Sequence, residues 1–360
     1  MKVNMTVLYV LLAILMLGIL VMIHEGGHFM AARLMKIEVT EFAMGFGPKL
    51  FGWKSKKYDT VFSVRAIPFG GFCAFVGDES DPENTDNPKA FARQNIWKRL
   101  FTIFMGPAMN ILLAVILSFG LYLFMQFPVG VDTFISEVNA GSPAAAAGLQ
   151  SGDVISEING VNMQDGTTET LTGTIASWKD GDEPLHLTVL RDGEEIFVDL
   201  NPAWDETENR MRLGIIIAAR YREEKQNLPF GEAISAGWTL CREAAVAILT
   251  ALRNLVTTGA GLDQTAGPVG VISLVTEQTM QGGLPVYIEL MIYISINLGL
   301  MNLLPFPGLD GSRLVIGLIE AVRRKPIPQK VENTIYLCGM ALLFLLLIFF
   351  TFKDVIGLFR

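Results

Sequence analysis

Two histidines and a glutamate stand close together in the segment HEGGH, at residues 24–28. Residues four apart on an α-helix share one face, so His24 and His28 can bind one metal ion there. Zinc is the metal that an HExxH pattern typically binds, and Glu25 between the histidines would act as general base on water at the metal. The alternative interpretation is two incidental polar residues on a core helix.

The position of this motif in the chain weakens that alternative. HEGGH ends an apolar run, roughly residues 5–23, which is long enough to cross a bilayer. At about 1.5 Å per residue, His24 lies ~28 Å along the helix from Met5, near the inner edge of the hydrocarbon core. Ionisable groups at that depth are costly and usually functional. One lysine precedes the run and no small-residue cleavage site follows it, so we expect a retained helix rather than a signal peptide.

A zinc site of this kind needs a third protein ligand. The only other histidine is His186, which falls in a segment that we expect on the opposite side of the membrane. Asp310 is the better candidate, because Pro305 and Pro307 prevent a regular helix just before it. Irregular backbone at membrane depth is tolerated only where it is buried in protein or lines a wet cavity. An exposed turn aspartate before Gly311 is the alternative.

The composition is that of a membrane protein. The chain has 360 residues, is 51% hydrophobic and has a mean hydropathy of +0.41, which is too apolar for an ordinary soluble protein of this length. Its three cysteines have no CxxC spacing, so we expect neither a disulfide framework nor a cysteine metal site. About four helices are predicted to span the membrane, near residues 5–23, 103–125, 286–304 and 334–352.

The charges predict an orientation. Residues 31–99 contain eleven Lys/Arg and residues 309–333 contain five, whereas the long segment 127–284 has nine against twenty-two Asp/Glu. The positive-inside rule then places the two basic loops in the cytoplasm, and both termini and the acidic segment outside. The net charge of −8 argues against a nucleic-acid partner.

The ordered set of motifs resembles the site-2 protease family of intramembrane zinc metalloproteases, and within it the bacterial RseP-type members. The resemblance covers nearly the whole chain. It rests on HEGGH at 24–28, GFGPKL at 45–50, IPFGGFCAF at 67–75, GPAMN at 106–110, a PDZ-like segment and NLLPFPGLDG at 302–311. It implies zinc as cofactor, with His24, His28 and Asp310 as ligands and Glu25 as catalytic base.

The same resemblance implies a role for residues near the end of the third core span. Four of them match family positions linked to handling the unwound substrate: Asn297, Asn302, Pro305 and Pro307. The chain departs from the better-known RseP-type proteins in having room for one PDZ domain instead of two.

Segment 40–76 is rich in glycine around an alternating stretch, which predicts short strands. An exposed sheet edge can hold an extended substrate by strand addition, so we expect Gly70 and Gly71 to contact substrate backbone. A purely structural hairpin that caps the helices is the alternative. Asn110 within GPAMN either bonds a neighbouring helix or acts beside the active site.

The insert at 128–222 contains the pattern SPAxxAGLxxGDxIxxxNG and resembles a bacterial PDZ domain. PDZ domains bind peptides by strand addition, and a spacer or plug without a peptide ligand is the alternative. Residues 229–257 have the spacing of an amphipathic helix lying at the outer membrane surface, with a fifth span as the alternative. We expect residues 265–274 to form a loop or a short re-entrant piece.

The expected fold is a multi-pass α-helical membrane protein with a site-2 protease core, small membrane-associated β elements and an inserted PDZ-like domain. The expected function is zinc-dependent intramembrane proteolysis of a single-span protein, such as an anti-sigma factor, in the bacterial cell membrane. Membrane lipid and a peptide ligand of the PDZ-like segment are the other expected partners. The alternative is a non-proteolytic membrane scaffold.

Four domains or regions are expected along the chain. They are the first two spans at 1–127, the PDZ-like domain at 128–222, an amphipathic helix and linker at 223–284, and the last two spans at 285–360.

Overall fold

The computed structural model describes residues 2–77, 87–128, 131–163, 168–206, 210–221, 225–261, 265–325 and 327–357. The chain divides into two compact units. The first combines Met1–Met125 with Pro229–Arg360, and the second is Gln126–Leu228. Elements are numbered along the whole chain.

The first unit is built from long helices. They are α1 (Lys2–Met35), α2 (Ile96–Phe124), α5 (Phe230–Thr258), α6 (Pro268–Asn302), α7 (Asp310–Arg323) and α8 (Gln329–Gly357). Among the described residues, four helices are long and apolar enough to cross a membrane, so this is an integral membrane protein. These candidate spans are Met5–Met35, Ile96–Phe124, Pro268–Asn302 and Thr334–Gly357.

Helix α6 corrects one expectation from the sequence. The loop expected at residues 265–274 is wrong from Pro268 onward, where the backbone is helical as far as Asn302. The alternative of a short re-entrant piece stays a prediction. Gly283 breaks this helix with a φ of 67°, which glycine adopts at little cost. Pro285 follows two residues later and cannot donate an intrahelical hydrogen bond. The kink separates the expected span from a preceding helical segment in the region where the sequence predicts a linker.

The spanning helices of this unit pack closely. Side chains of α1 such as Met16 and Leu20 are fully buried in a cluster that includes Val275 and Met291 of α6. Near the start of α6, the backbone N–H of Gly270 donates a hydrogen bond at 2.7 Å to the carboxylate of Asp354 near the end of α8.

A long antiparallel hairpin follows α1. Strands β1 (Val39–Lys54) and β2 (Val61–Phe75) fold back on each other, so that residues 41–44 pair with 71–74 on one side and with 61–64 on the other. The segment forms strands as expected. An aromatic cluster joins the hairpin to α1: the ring of Phe29 lies 5.5 to 5.7 Å from the rings of Phe42, Tyr58 and Phe62. Because Phe29 directly follows His28, this cluster fixes the hairpin beside HEGGH.

The second unit is a small β-rich fold with its own core. Its main sheet has the order β11-β4-β5-β7-β8, with β6 beside β5, and its pairs are antiparallel. Side chains such as Ile135, Ile155, Leu187 and Val189 fill the core. The elements are β3 (Phe127–Pro128), β4 (Val131–Val138), α3 (Pro143–Ala146), β5 (Val154–Ile158), β6 (Val161–Asn162), α4 (Thr168–Ser177), β7 (Leu185–Arg191), β8 (Glu194–Leu200), β9 (Ala203–Asp205), β10 (Arg210–Arg212), β11 (Ile215–Tyr221) and β12 (Lys225–Gln226).

A charged pair ties two parts of this unit together. Arg191 at the end of β7 donates two hydrogen bonds, at 2.7 and 2.8 Å, to the buried carboxylate of Asp153. Burial alone would raise the pKa of Asp153, but the bonds from Arg191 and from the backbone N–H of Gln150 outweigh it and lower the pKa below its ordinary value of 3.8. The stabilisation by the ionised Asp153–Arg191 pair is therefore fully present above pH 3.8. It is lost as the pH falls through the lowered pKa of Asp153.

We predict that Asp153→Asn destabilises this unit by about 2 kcal/mol, because it leaves Arg191 without its carboxylate partner. Amide exchange of β7 in the intact protein, followed by mass spectrometry, should accelerate roughly 30-fold at neutral pH. Asp199→Asn is the matched control, since the Asp199–His186 pair on the same sheet is exposed. Equal effects of the two substitutions would show that burial of the Asp153 pair does not matter.

Candidate metal centre

The HEGGH segment lies near the C-terminal end of α1, within the candidate span. His24 and His28 are both buried, and their Nε2 atoms are 3.3 Å apart. The two nitrogens converge because a four-residue separation stacks the rings on one face of the helix. The two histidine side chains therefore lie side by side, as the sequence predicts.

The carboxylate of Asp310 completes this cluster. Helix α6 ends at Asn302, the backbone passes through Gly308 with a φ of 94°, and α7 begins at Asp310. The Asp310 Oδ2 atom lies 3.0 Å from Nε2 of His24 and 3.2 Å from Nε2 of His28. The helix break predicted from the two prolines therefore exists, and it brings the carboxylate to the histidines.

A neighbouring carbonyl group determines which ring nitrogen of His28 carries the proton. Nδ1 of His28 lies 3.0 Å from the carbonyl oxygen of Thr102, which can only accept a hydrogen bond. In the neutral ring Nδ1 therefore carries the proton and Nε2 presents a lone pair to Asp310. Within the described residues, Asp310 Oδ2 is buried and receives no hydrogen bond. Electron pairs of a nitrogen and of a carboxylate oxygen thus face each other, which favours a bound cation between them.

The separations of the three ligand atoms are within about 0.3 Å of those around a tetrahedral zinc ion. A tetrahedral ion with ligand bonds of about 2.0 to 2.2 Å separates its ligand atoms by roughly 3.3 to 3.6 Å, and the three separations here are 3.0, 3.2 and 3.3 Å. Among the described residues, His24, His28 and Asp310 form the one group of three or more potential His, Cys, Asp or Glu ligands whose donor atoms converge. His186 lies in the other compact unit, exposed and paired with Asp199.

Gly106 of α2 is a site residue that our reading of the sequence missed. A Cβ atom at this position would collide with the imidazole of His28, so only glycine leaves space for that ring. Gly27 has a similar role between helices, because a Cβ there would collide with the carbonyl oxygen of Met105. The GPAMN motif pointed to this helix, but its glycine could be linked to His28 only through a contact across 78 residues of sequence.

The hairpin holds the carboxylate of Glu25. The backbone N–H of Cys73 on β2 donates a hydrogen bond to Glu25. Gly71 also belongs to this contact, since a Cβ there would lie 2.8 Å from the carbonyl oxygen of Ala43 and 3.4 Å from Cγ of Glu25. Glycine at this position allows the strand to approach the helix closely enough for the bond to Glu25.

A cavity of about 330 Å³ surrounds the cluster. Besides the three potential ligands and Glu25, its lining includes Gly70, Gly71, Asn110 and Asn302. Three of the residues expected to handle substrate, Gly70, Gly71 and Asn302, are therefore beside the potential ligands. Arg313 and Tyr336 line the cavity as well, and neither was singled out from the sequence.

The other expected substrate-binding residues lie elsewhere. Asn297 lines a separate cavity with residues of α5 such as Ile248 and Leu252. Pro305 is exposed, and the carbonyl oxygen of Pro307 packs against Gly339 of α8. None of the three lines the cavity around the histidines in the described part of the chain. Substrate binding by these three residues stays a prediction. Asn297 faces α5, and the prolines shape the backbone ahead of Asp310.

We predict that Gly106→Ala lowers bound zinc to well below one ion per chain, because the added methyl group displaces the His28 ring. Gly120→Ala is the control on the same helix, since a Cβ there meets no atom within 4 Å. Metal analysis of both purified variants measures the effect. Full zinc content in Gly106→Ala would show that His28 is free to shift without loss of the site.

Comparison with known proteins agrees with this geometry. The model of the family described as Peptidase family M50 matches residues 12–346. Relatives named as zinc metalloproteases include one of Clostridium acetobutylicum, 32% identical over 96% of this chain and 97% of the relative. Another, of Nostoc sp., is 33% identical over 96% of this chain and 95% of the relative.

The regulator of sigma-W protease RasP of Bacillus subtilis is 29% identical over 96% of this chain and 98% of that protein. The matches thus extend over both compact units and all the segments that form the cluster. The chain belongs to peptidase family M50, and it is a zinc metalloprotease.

Proposed function

We propose that this chain is an intramembrane endopeptidase that cleaves single-span membrane proteins. The observation that carries the proposal is the position of the cluster: His24, Glu25 and His28 lie within a helix that is apolar enough to span the bilayer. A substrate that reaches them has to enter the membrane region itself, so a membrane-spanning segment is the substrate class that fits best.

We further propose that His24, His28 and Asp310 hold the zinc ion and that Glu25 is the catalytic base. Bound zinc would polarise the scissile carbonyl and make a water molecule more acidic. Glu25 takes the proton of the attacking water and passes it to the leaving amine. The hydrogen bond from the N–H of Cys73 orients this carboxylate. Thr102 orients the His28 ring through its Nδ1 atom.

The substrate has to be extended before it can be cleaved. Gly70 and Gly71 of β2 line the cavity beside Glu25, and among the described residues the stretch 71–75 pairs with β1 on one side alone, which leaves its other edge open. We propose that the unwound substrate segment adds along this hairpin, with Asn302 facing it from the end of α6. If the hairpin only capped the helices, the position of Gly70 and Gly71 in the cavity wall would have no role in catalysis.

The charged loops support a proposal for the side of the membrane on which the site lies. The basic segment 31–99 follows HEGGH along the chain, and the basic segment 309–333 contains Asp310, so we propose that the metal centre lies toward the cytoplasm. RasP is named a regulator of sigma-W. By analogy, we propose a membrane-anchored regulator, such as an anti-sigma factor, as the substrate here. The rival proposal of a non-proteolytic scaffold leaves Glu25 and its hydrogen bond without a purpose.

We predict that Glu25→Gln keeps about one zinc per chain and loses cleavage of a single-span substrate in detergent micelles. His28→Ala and Asp310→Ala should lose most of the metal along with the activity. His186→Ala is the control and should keep both. Loss of zinc in His186→Ala with retention in Asp310→Ala would refute the ligand assignment, and cleavage by Glu25→Gln would refute the role of the base.

For the second unit we propose a PDZ-like fold that binds an extended peptide. In the part of this unit that the structure describes, β11 pairs with β4 alone, so its other edge is free for strand addition. A groove of about 290 Å³ runs between β11 and α4, with apolar side chains including Leu171, Ile175 and Ile217. A free edge beside an apolar groove supports peptide binding over the alternative of an inert spacer.

We predict that Ile216→Asp abolishes peptide selection from a displayed peptide library panned on the intact protein. Ile216 is exposed and lines the groove, so a carboxylate there opposes apolar peptide side chains. Phe197→Asp is the matched control, because Phe197 is an exposed apolar residue on β8, at the other edge of the sheet. A wild-type protein that selects no peptide would favour the spacer.

A further inference from the structure

Asn110 has a polar side chain that the proposed mechanism does not use. It lies on α2, is fully buried and lines the cavity around His24, His28 and Asp310. Both atoms of its amide group, Oδ1 and Nδ2, have no hydrogen-bond partner among the described residues. Buried polar groups are almost always paired, and each exception calls for an explanation.

Neighbouring helices hold the backbone of Asn110 but do not bond its side chain. The hydroxyl group of Ser295 on α6 donates to the carbonyl oxygen of Asn110 at 2.7 Å. Gly299, one turn further along α6, allows close approach, since a Cβ there would lie 3.1 Å from the carbonyl oxygen of Pro107. The interhelical contact that our reading of the sequence offered as one explanation of Asn110 is thus made by its main chain. Its carboxamide group is left without a hydrogen-bond partner among the described residues, at the wall of the cavity.

The position of Asn110 on α2 sets its distance from the zinc ligands. It lies four residues beyond Gly106, whose missing side chain makes room for His28. Residues four apart share a helix face and are separated by about 6 Å along the axis. An extended chain advances by about 3.3 to 3.6 Å per residue, so Asn110 is displaced from the metal centre by about two residues of an extended substrate.

A carboxamide offers one acceptor and a pair of donor hydrogens, which matches the N–H and C=O of a peptide backbone. When a membrane-spanning helix unwinds for cleavage, its backbone groups lose their internal partners, and each group that stays unpaired at membrane depth is costly. The carboxamide of Asn110 and the backbone of the unwound substrate can therefore satisfy each other's hydrogen bonds.

We propose that Asn110 is a substrate-binding residue whose carboxamide pairs with the backbone of the unwound substrate, about two residues from the scissile bond. The proposal rests on the proposed intramembrane cleavage and names a further residue of that same site. It assigns to Asn110 a contribution to substrate binding and turnover, with no contribution to holding zinc.

The first test compares Asn110→Leu, of similar size but apolar, with Ser118→Ala. Ser118 is equally buried on α2, bonds Val115 and Cys241, and does not line this cavity in the described part of the chain. Asn110→Leu should keep its zinc and its melting temperature and should lose about tenfold or more in kcat/KM on a single-span substrate in micelles. Ser118→Ala should keep its kcat/KM. A lower melting temperature with unchanged kcat/KM in Asn110→Leu would show a structural amide and overturn the proposal.

The second test locates the contact on the substrate. Synthetic single-span substrates carry one backbone ester in place of an amide, at each of three positions on either side of the scissile bond. The wild-type enzyme should lose about tenfold in kcat/KM at one position near the second residue, and Asn110→Leu should lose little more at that position. Equal losses in both enzymes at every position would overturn the proposal. A wild-type protein that holds zinc but cleaves no single-span substrate would overturn the proposed function itself, and this proposal with it.

Discussion

Three buried electron-pair donors converge on one point in this protein. Nε2 of His24, Nε2 of His28 and Oδ2 of Asp310 lie within 3.3 Å of one another. Groups of this kind are costly in a low-dielectric interior unless a positive charge or a proton lies between them. A dication turns the repulsion into attraction, and it would link α1 to the start of α7. The rest of the membrane unit can be understood as what holds these atoms at that separation.

Several features that look unrelated in the sequence serve this constraint. Gly106 leaves the volume that the His28 ring occupies, and Gly27 lets α2 approach α1. The break after Asn302 ends α6 in time for Asp310 to begin α7. At the other end of α7, the nearly buried Glu320 accepts a hydrogen bond at 2.9 Å from Arg99 of α2. Helix α2 therefore contacts both His28 and the helix that carries Asp310, which makes it the scaffold of the centre.

Local patterns in the sequence were enough to predict part of this arrangement. HEGGH on an apolar helix, the proline break before Asp310 and the strands of the hairpin all follow from periodicity or backbone chemistry within a few residues. Contacts between residues far apart in the sequence could not be predicted from such local patterns. Gly106 matters only because His28, 78 residues earlier, folds against it, and Asn297 faces α5 rather than the cavity. The helix before Gly283 was mistaken for a linker because its glycines, threonines and glutamate resemble a loop.

X-ray absorption spectroscopy of the zinc-loaded protein tests the central claim most directly. The proposed centre has two imidazole nitrogens and a carboxylate oxygen, so the zinc edge should show only nitrogen and oxygen neighbours at about 2.0 to 2.2 Å, with the outer-shell scattering of two imidazole rings. Asp310→Ala should remove most of the bound zinc. A sulfur neighbour at about 2.3 Å, or the signature of three imidazoles, would contradict the assignment of His24, His28 and Asp310.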